Sequence, residues 1–177
     1  MILGFDNFEI APIKETDAWK LCDFMIINED RLKAYFPKTL EQNLTPDLSR
    51  LFTEKKAKAF EAKEEFLFTL KEVKTRQLAG LIYIKELNWF IKQGEFAYAL
   101  SKDFSGQHIM SKAIKILTQY AFEVLGLEAL QIIVNKDNLS SIKVALNNEF
   151  IWKETRLKAY TPPNSAPLDM ELYELYK

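Results

Sequence analysis

Phe104-Ser105-Gly106-Gln107-His108-Ile109-Met110-Ser111-Lys112-Ala113 is the stretch on which the fold turns. The run Glu95-Phe96-Ala97-Tyr98-Ala99-Leu100 before it has the character of a strand. After it, Ile109, Ala113, Ile116, Leu117, Tyr120, Ala121 and Val124 recur at helical spacing, and Gly126 stops the pattern. A short Ser/Gly loop between a strand and a helix turns backbone N–H groups and a helix N-terminus toward one point. That arrangement suits a phosphate.

The chain around this loop reads as alternating elements. Phe8-Glu9-Ile10-Ala11-Pro12-Ile13 forms a first strand. Thr16 or Asp17 caps a helix that carries Trp19, Leu21, Phe24 and Met25 to about Ile27. Arg31 to Phe36 makes a short helical turn that Pro37 ends. Thr45-Pro46-Asp47 combines an N-cap, a proline at the first helical position and an acid in the first turn. The helix it starts carries Leu48, Leu51 and Phe52 and runs to Phe60. Phe66 to Leu70 and Leu78 to Ile84 are a hairpin joined by Lys74-Thr75-Arg76-Gln77. Leu130 to Val134 is a buried strand. Asn138 caps a helix over Leu139 to Asn147, and Lys153 to Tyr160 and Met170 to Tyr176 are a closing strand pair. The order predicts an α/β (α+β) domain with a mixed, mostly antiparallel central sheet, helices on both faces and one splayed strand pair. No linker divides residues 1–177, so a single domain is expected.

Composition narrows the chemistry. Of 177 residues, 48% are hydrophobic and 28% charged, with 24 basic and 25 acidic side chains and a net charge of −1. This balance gives no electrostatic case for nucleic acid or an acidic membrane as partner. The chain lacks a signal-peptide pattern at Met1 to Asp6 and any run near the roughly 20 apolar residues of a membrane span. Its one cysteine, Cys22, allows no internal disulfide and fits a cytoplasmic protein. His108 is the one histidine, so no His/Cys zinc cluster forms, and a metal site is not expected. With five glycines the chain carries neither a Gly-x-Gly-x-x-Gly loop nor a Walker loop.

The motifs together resemble the Gcn5-related N-acetyltransferase superfamily, and within it the ribosomal-protein N-terminal acetyltransferase branch. That branch reads aromatic-x-Gly-x-Gly-x-x-Thr-Glu-Ala at its cofactor loop. Phe104, Gly106 and Ala113 match it, and Ser111 replaces Thr. Asn138-Leu139-Ser140-Ser141-Ile142-Lys143-Val144-Ala145 fits its Asn-x-x-Ser-x-x-Val-Ala, with Glu149-Phe150 in place of Gly-Phe. Glu95 to Leu100 is similar to its Glu-x-Gly-Tyr-x-Leu strand, and Leu168 to Tyr173 to its last strand. Three loop positions depart from the wider pattern. Ser105 stands for Gln/Arg, His108 for the central Gly, and Met110 for Gly/Ala.

The resemblance implies an acetyl-CoA-dependent N-acetyltransferase acting on a primary amine, either a protein N-terminus or a small amine. It implies acetyl-CoA as cosubstrate, with its pantetheine arm beside Tyr98, Ala99 and Leu100. The pyrophosphate would meet Gly106, Gln107, His108, Ile109, Met110 and Ser111, and Asn138 and Ser141 would also contact the cofactor. Glu95 is the candidate base or water-orienting residue, set against a plain solvated glutamate after Gly94. Ser141 is the candidate at the sulfur, set against a hydroxyl supporting the Asn138 cap. Ala145 falls where another subgroup carries a tyrosine acid. Ordinary packing is expected for Cys22, Trp89 and Phe90, a loop position for His108, and a solvated face for Lys55, Lys56, Lys58 and Lys63. A homodimer is compatible if the aromatics near Trp89 form a patch. The alternative from another class is a degenerate, non-catalytic acyl-CoA-binding module of the same fold, prompted by Ser105 and His108.

Overall fold

The computed structural model describes residues 1–177. Eight strands form one sheet in the order β1-β2-β3-β4-β5-β6-β8-β7. Chain contacts divide the protein into two compact units. The first holds Met1–Tyr83 with Tyr98–Ser105, the second Ile84–Ala97 with Gly106–Lys177.

The first unit begins with the hairpin β1 (Leu3–Phe5) and β2 (Phe8–Pro12), and β2 pairs antiparallel with β3 (Phe66–Glu72). Four helices lie between β2 and β3: α1 (Ala18–Ile27), α2 (Glu29–Leu32), α3 (Pro37–Glu41) and α4 (Pro46–Glu61). The start of α4 follows the sequence closely. The Thr45 hydroxyl accepts the Leu48 N–H at 3.3 Å, and Pro46 occupies the first turn. Its far end is held by Phe60, whose ring meets Phe66 and Phe68 edge-on at 4.9 and 5.2 Å. Ile10, Leu21, Phe68 and Leu70 are fully buried here. Each such side chain contributes about 1.5–3 kcal/mol by leaving water.

Three expectations in this unit change. The strand β1 was not foreseen, because three residues are too few to show a period. Pro37 does not only end a turn; it opens α3 as the first helical residue. Asp17 precedes α1 but makes no side-chain cap. Its carboxylate accepts from Lys71 Nζ and from the Lys14 N–H instead.

In the second unit β5 (Gln93–Leu100) pairs in parallel with β6 (Ala129–Asn135), and β6 pairs antiparallel with β8 (Leu168–Tyr176), which carries β7 (Ile151–Tyr160) on its far side. A parallel neighbour needs a crossover. The helix α5 (Ile109–Glu123) supplies it, burying Ala113, Ile114, Leu117 and Ala121 completely. The helix α6 (Leu139–Asn147) follows β6, and Phe150 just beyond it meets Phe96 with ring centroids 6.4 Å apart. Gly94 in β5 sits where a side chain would crowd. An added Cβ would lie 3.1 Å from both Ile84 Cγ2 and Leu127 Cδ1. The strand β4 (Leu78–Asn88) gives residues to both units.

Some packing expectations also change. Cys22 is buried as foreseen, but the turn after β4 exposes Trp89 by 42% and Phe90 by 95%. Lys58 pairs with Glu54 on an open helix face. Lys56 instead reaches Glu65 and lies over the rings of Phe52 and Tyr83, so this part of the α4 face is packed rather than solvated. Tyr83 is buried, and desolvation lifts its hydroxyl well above the ordinary tyrosine range.

Candidate active site

The parallel pairing of β5 with β6 covers Gln93–Phe96 against Ala129–Ile132 and stops there. Beyond it Ile133, Val134 and Asn135 pair with β8 on the other side. This early end of the ladder, four residues after it begins, is the splayed pair within the second unit.

The loop before α5 is built from backbone torsions. Gly106 has φ 79° and His108 has φ 56° and ψ 14°, so both are left-handed. Glycine adopts that conformation freely, whereas histidine pays a steric cost of roughly 1 kcal/mol or more. His108 therefore holds a backbone conformation that glycine adopts without strain. It is also the N-cap of α5, yet its side chain caps nothing. The first N–H of α5 paired within the chain is that of Lys112, which bonds the His108 carbonyl at 3.1 Å. The N–H groups of Ile109, Met110 and Ser111 are the orphan donors of a helix start. With the positive end of a 15-residue helix behind them, they suit a phosphate oxygen. Ile109 and Met110 bury their side chains, so these two residues offer only backbone.

Asn138 caps α6 as foreseen. Its Oδ1 accepts from the Ser141 N–H at 3.2 Å and from the Ser140 hydroxyl at 3.0 Å. The two candidate segments are tied together through Ser111. Asn147 Nδ2 reaches the Ser111 hydroxyl at 3.3 Å, and Asn148 Nδ2 donates to the Ser111 carbonyl at 3.1 Å and the Val144 carbonyl at 2.8 Å. The end of α6 thus braces the start of α5. Sequence inspection did not single out these two asparagines. Their one signal was a pair of amides just where a helix ends.

Glu95 is half-buried and is not a freely solvated strand-end acid. Lys85 Nζ lies 3.0 Å from its Oε1, and Oε2 is unbridged. In the register Glu95 stands opposite Gln131, and Gln131 opposite Glu174. Gln131 Nε2 donates to Glu174 Oε1 at 2.7 Å, so a polar row crosses three strands. Burial acts to raise the Glu174 carboxyl, but the Tyr176 hydroxyl, the Gln131 amide and the Lys153 ammonium outweigh it. They hold Glu174 below the ordinary carboxylate range.

Tyr98, Ala99 and Leu100 close β5 as half-buried residues of the first unit. Ser105 belongs to that unit too, and its hydroxyl accepts from Arg31 Nη1 at 3.1 Å. Gln107 is exposed in the loop of the second unit. No helix is long and apolar enough to cross a membrane.

Residues 7–151 match the family described as the acetyltransferase (GNAT) domain. The chain belongs to the GNAT acetyltransferase family. The spermidine N(1)-acetyltransferase of Escherichia coli (strain K12) is 33% identical over 66 residues, which are 37% of this chain and 36% of that protein. The match thus spans little more than a third of that curated relative. Among solved structures, the ribosomal-protein-S5-alanine acetyltransferase from Vibrio fischeri aligns at a TM-score of 0.93 with 19% identity, over 99% of this chain and 96% of that one. A ribosomal L7/L12 alpha-N-protein acetyltransferase in complex with coenzyme A aligns at 0.89 with 18% identity, over 99% and 98%. The expected fold, a mixed and mostly antiparallel sheet of the GNAT type, is the one observed.

Proposed function

We propose that this protein is an acetyl-CoA-dependent N-acetyltransferase acting on a primary amine. The observation that carries the reading is the start of α5. Left-handed Gly106 and His108 lead into α5, whose first N–H groups, those of Ile109, Met110 and Ser111, are the orphan donors of a helix start. Membership of the GNAT family supports it, since residues 7–151 run through both units and make residues 1–177 one catalytic domain in this reading.

Acetyl-CoA, when bound, supplies an activated acyl thioester. Gly106 to Ser111 would hold its pyrophosphate, and Asn138, Tyr98, Ala99 and Leu100 are the further residues assigned to contact the cofactor. An acceptor amine is an ammonium ion near neutral pH and must lose a proton before it attacks. Glu95 takes that proton through Oε2, directly or by one water, while Lys85 holds Oε1. In the transfer a C–N bond forms and the C–S bond breaks. The nitrogen loses a second proton as the C–S bond breaks, and the Ser141 hydroxyl, assigned to the departing sulfur, would relay a proton to it so that it leaves as a thiol.

The named relatives act on a ribosomal-protein alanine, a ribosomal-protein N-terminus and spermidine. An amine is common to all three, so the acceptor here is a protein N-terminus or a small amine. The balanced charge and single cysteine support a cytoplasmic protein with neither nucleic acid nor membrane as partner. Exposed Trp89, Phe90 and Ile91 support a homodimer. The non-catalytic acyl-CoA-binding alternative, prompted by Ser105 and His108, is separated from this reading by the assays below.

Calorimetry with acetyl-CoA and coenzyme A tests the reading. Saturable binding is expected, and no binding at millimolar ligand would end it. A thiol-release assay over N-terminal peptides, polyamines and aminoglycosides then identifies the acceptor.

A further inference from the structure

The transfer described above has no use for the ion pair between Lys71 and Asp17. Both side chains are more than nine-tenths buried, at 8% and 5% exposure, with Nζ and Oδ1 2.5 Å apart. Packing alone does not account for such a pair. Two apolar side chains of similar volume typically stabilise a fold as well or better, because both ions must first leave water.

The hydrogen bonds of the pair are uneven. Asp17 is fully engaged: Oδ1 takes Lys71, and Oδ2 accepts the Lys14 N–H at 3.0 Å. Lys71 carries three N–H donors, of which Asp17 takes one. Its ammonium lines a recess of about 260 Å3 between β2, β3 and the start of α1. By register Lys71 shares a sheet face with Glu9, Ala11 and Thr69.

The charges lining the recess do not cancel. Lys14, Lys20, Lys71 and Arg76 face two acids, Glu9 and Asp17. Asp17 is matched by Lys71, and Glu9 by Arg76 Nη2 at 2.6 Å. The charges of Lys14 and Lys20 remain over. A concave site with a surplus of two positive charges and a buried donor complements a small dianion. Its volume of about 260 Å3 leaves ample room for a small ion.

We propose that this recess binds a small dianion of the phosphate or short-dicarboxylate class. The Lys71 ammonium donates to it, and Lys14 and Lys20 supply the countercharge. The site lies wholly in the first unit and does not depend on the acetyltransferase reading.

The test is calorimetric titration of the full chain with sodium phosphate and, separately, disodium succinate, at constant ionic strength set with chloride. Saturable binding of at least one anion is expected, and the arm that binds names the source. The doubly substituted Lys14→Ala/Lys20→Ala protein changes no buried group, and circular dichroism checks that it is folded. It should bind at least tenfold more weakly. No saturable binding of either anion by the unsubstituted protein overturns the proposal. So does a loss smaller than tenfold in the variant, which would place the anion elsewhere, including at the loop before α5.

Discussion

Lys85 Nζ stands 3.0 Å from Glu95 Oε1, on the strand next to the one that carries Glu95. The pair engages one oxygen of a half-buried carboxylate, and the proposed role of Glu95 as base uses the other. Replacing Glu95 with Gln keeps the shape and removes the basic group. General bases typically contribute 10²–10⁴-fold. The Glu95→Gln protein should therefore lose at least about a hundredfold in kcat with its affinity for coenzyme A unchanged. Lys85→Met should lose less. A Glu95→Gln enzyme with near-normal kcat would assign the base elsewhere.

His108 holds a left-handed conformation that only glycine adopts without strain. His108→Gly should stabilise the fold by about 1 kcal/mol. In a chain of this size that corresponds to a rise of about 2–4 °C in Tm. Coenzyme A affinity should stay level or improve, since the backbone path is unchanged. A marked weakening would make the imidazole itself a phosphate contact.

Asn138 and Ser141 share one hydrogen bond but differ in the roles assigned to them. Asn138→Ala removes the α6 cap and should cost about 1 kcal/mol in a urea melt. Ser141→Ala keeps its backbone N–H and hence the Asn138 cap, so it should cost less stability than Asn138→Ala. Its effect should fall on kcat, by tenfold or more if the hydroxyl serves the sulfur. Equal Tm losses and an unchanged kcat in the second variant would make Ser141 a structural residue.

The hydrogen bond from Arg76, together with its charge, holds the Glu9 carboxyl below its ordinary value of 4.5 against a smaller opposing effect of burial. A lowered folded-state value means the carboxylate is favoured by folding. The contribution is complete above about pH 4.5 and disappears as pH falls through the lower folded value. Arg76 is half-exposed, so solvent screens the pair and its contribution is small. Urea midpoints of the wild type and Arg76→Gln should differ at pH 7 and draw together as the pH falls below about 4.5. A constant gap across that range would rule this pair out as the cause.

The residues that announced themselves in the sequence were those whose partners are neighbours along the chain. Thr45 caps a helix three residues away, and Asn138 does the same. The period of α5 lies within its own 15 residues. The misjudged residues answer to distant partners. Asp17 looks like a cap until Lys71, 54 positions on, takes its carboxylate. Glu95 looks solvated until Lys85 faces it across a strand pair. Pro37 can end one helix or begin another, and only the path of the chain decides. The loop at Gly106 was legible as a type, while its left-handed histidine is a matter of torsion that residue names do not carry.

The parallel ladder of β5 and β6 has a consequence for how the protein forms. Those strands cannot meet without the whole crossover through α5, whereas β7 and β8 join across the loop of residues 161–167. Non-local pairing comes at a high entropic cost in loop closure and is reached late. The loop before α5 lies inside that crossover, so its surroundings would be completed only as the ladder closes. A ligand held by the finished loop would then act on the exit from the native state alone. It would prolong the folded lifetime and leave the refolding rate as it was.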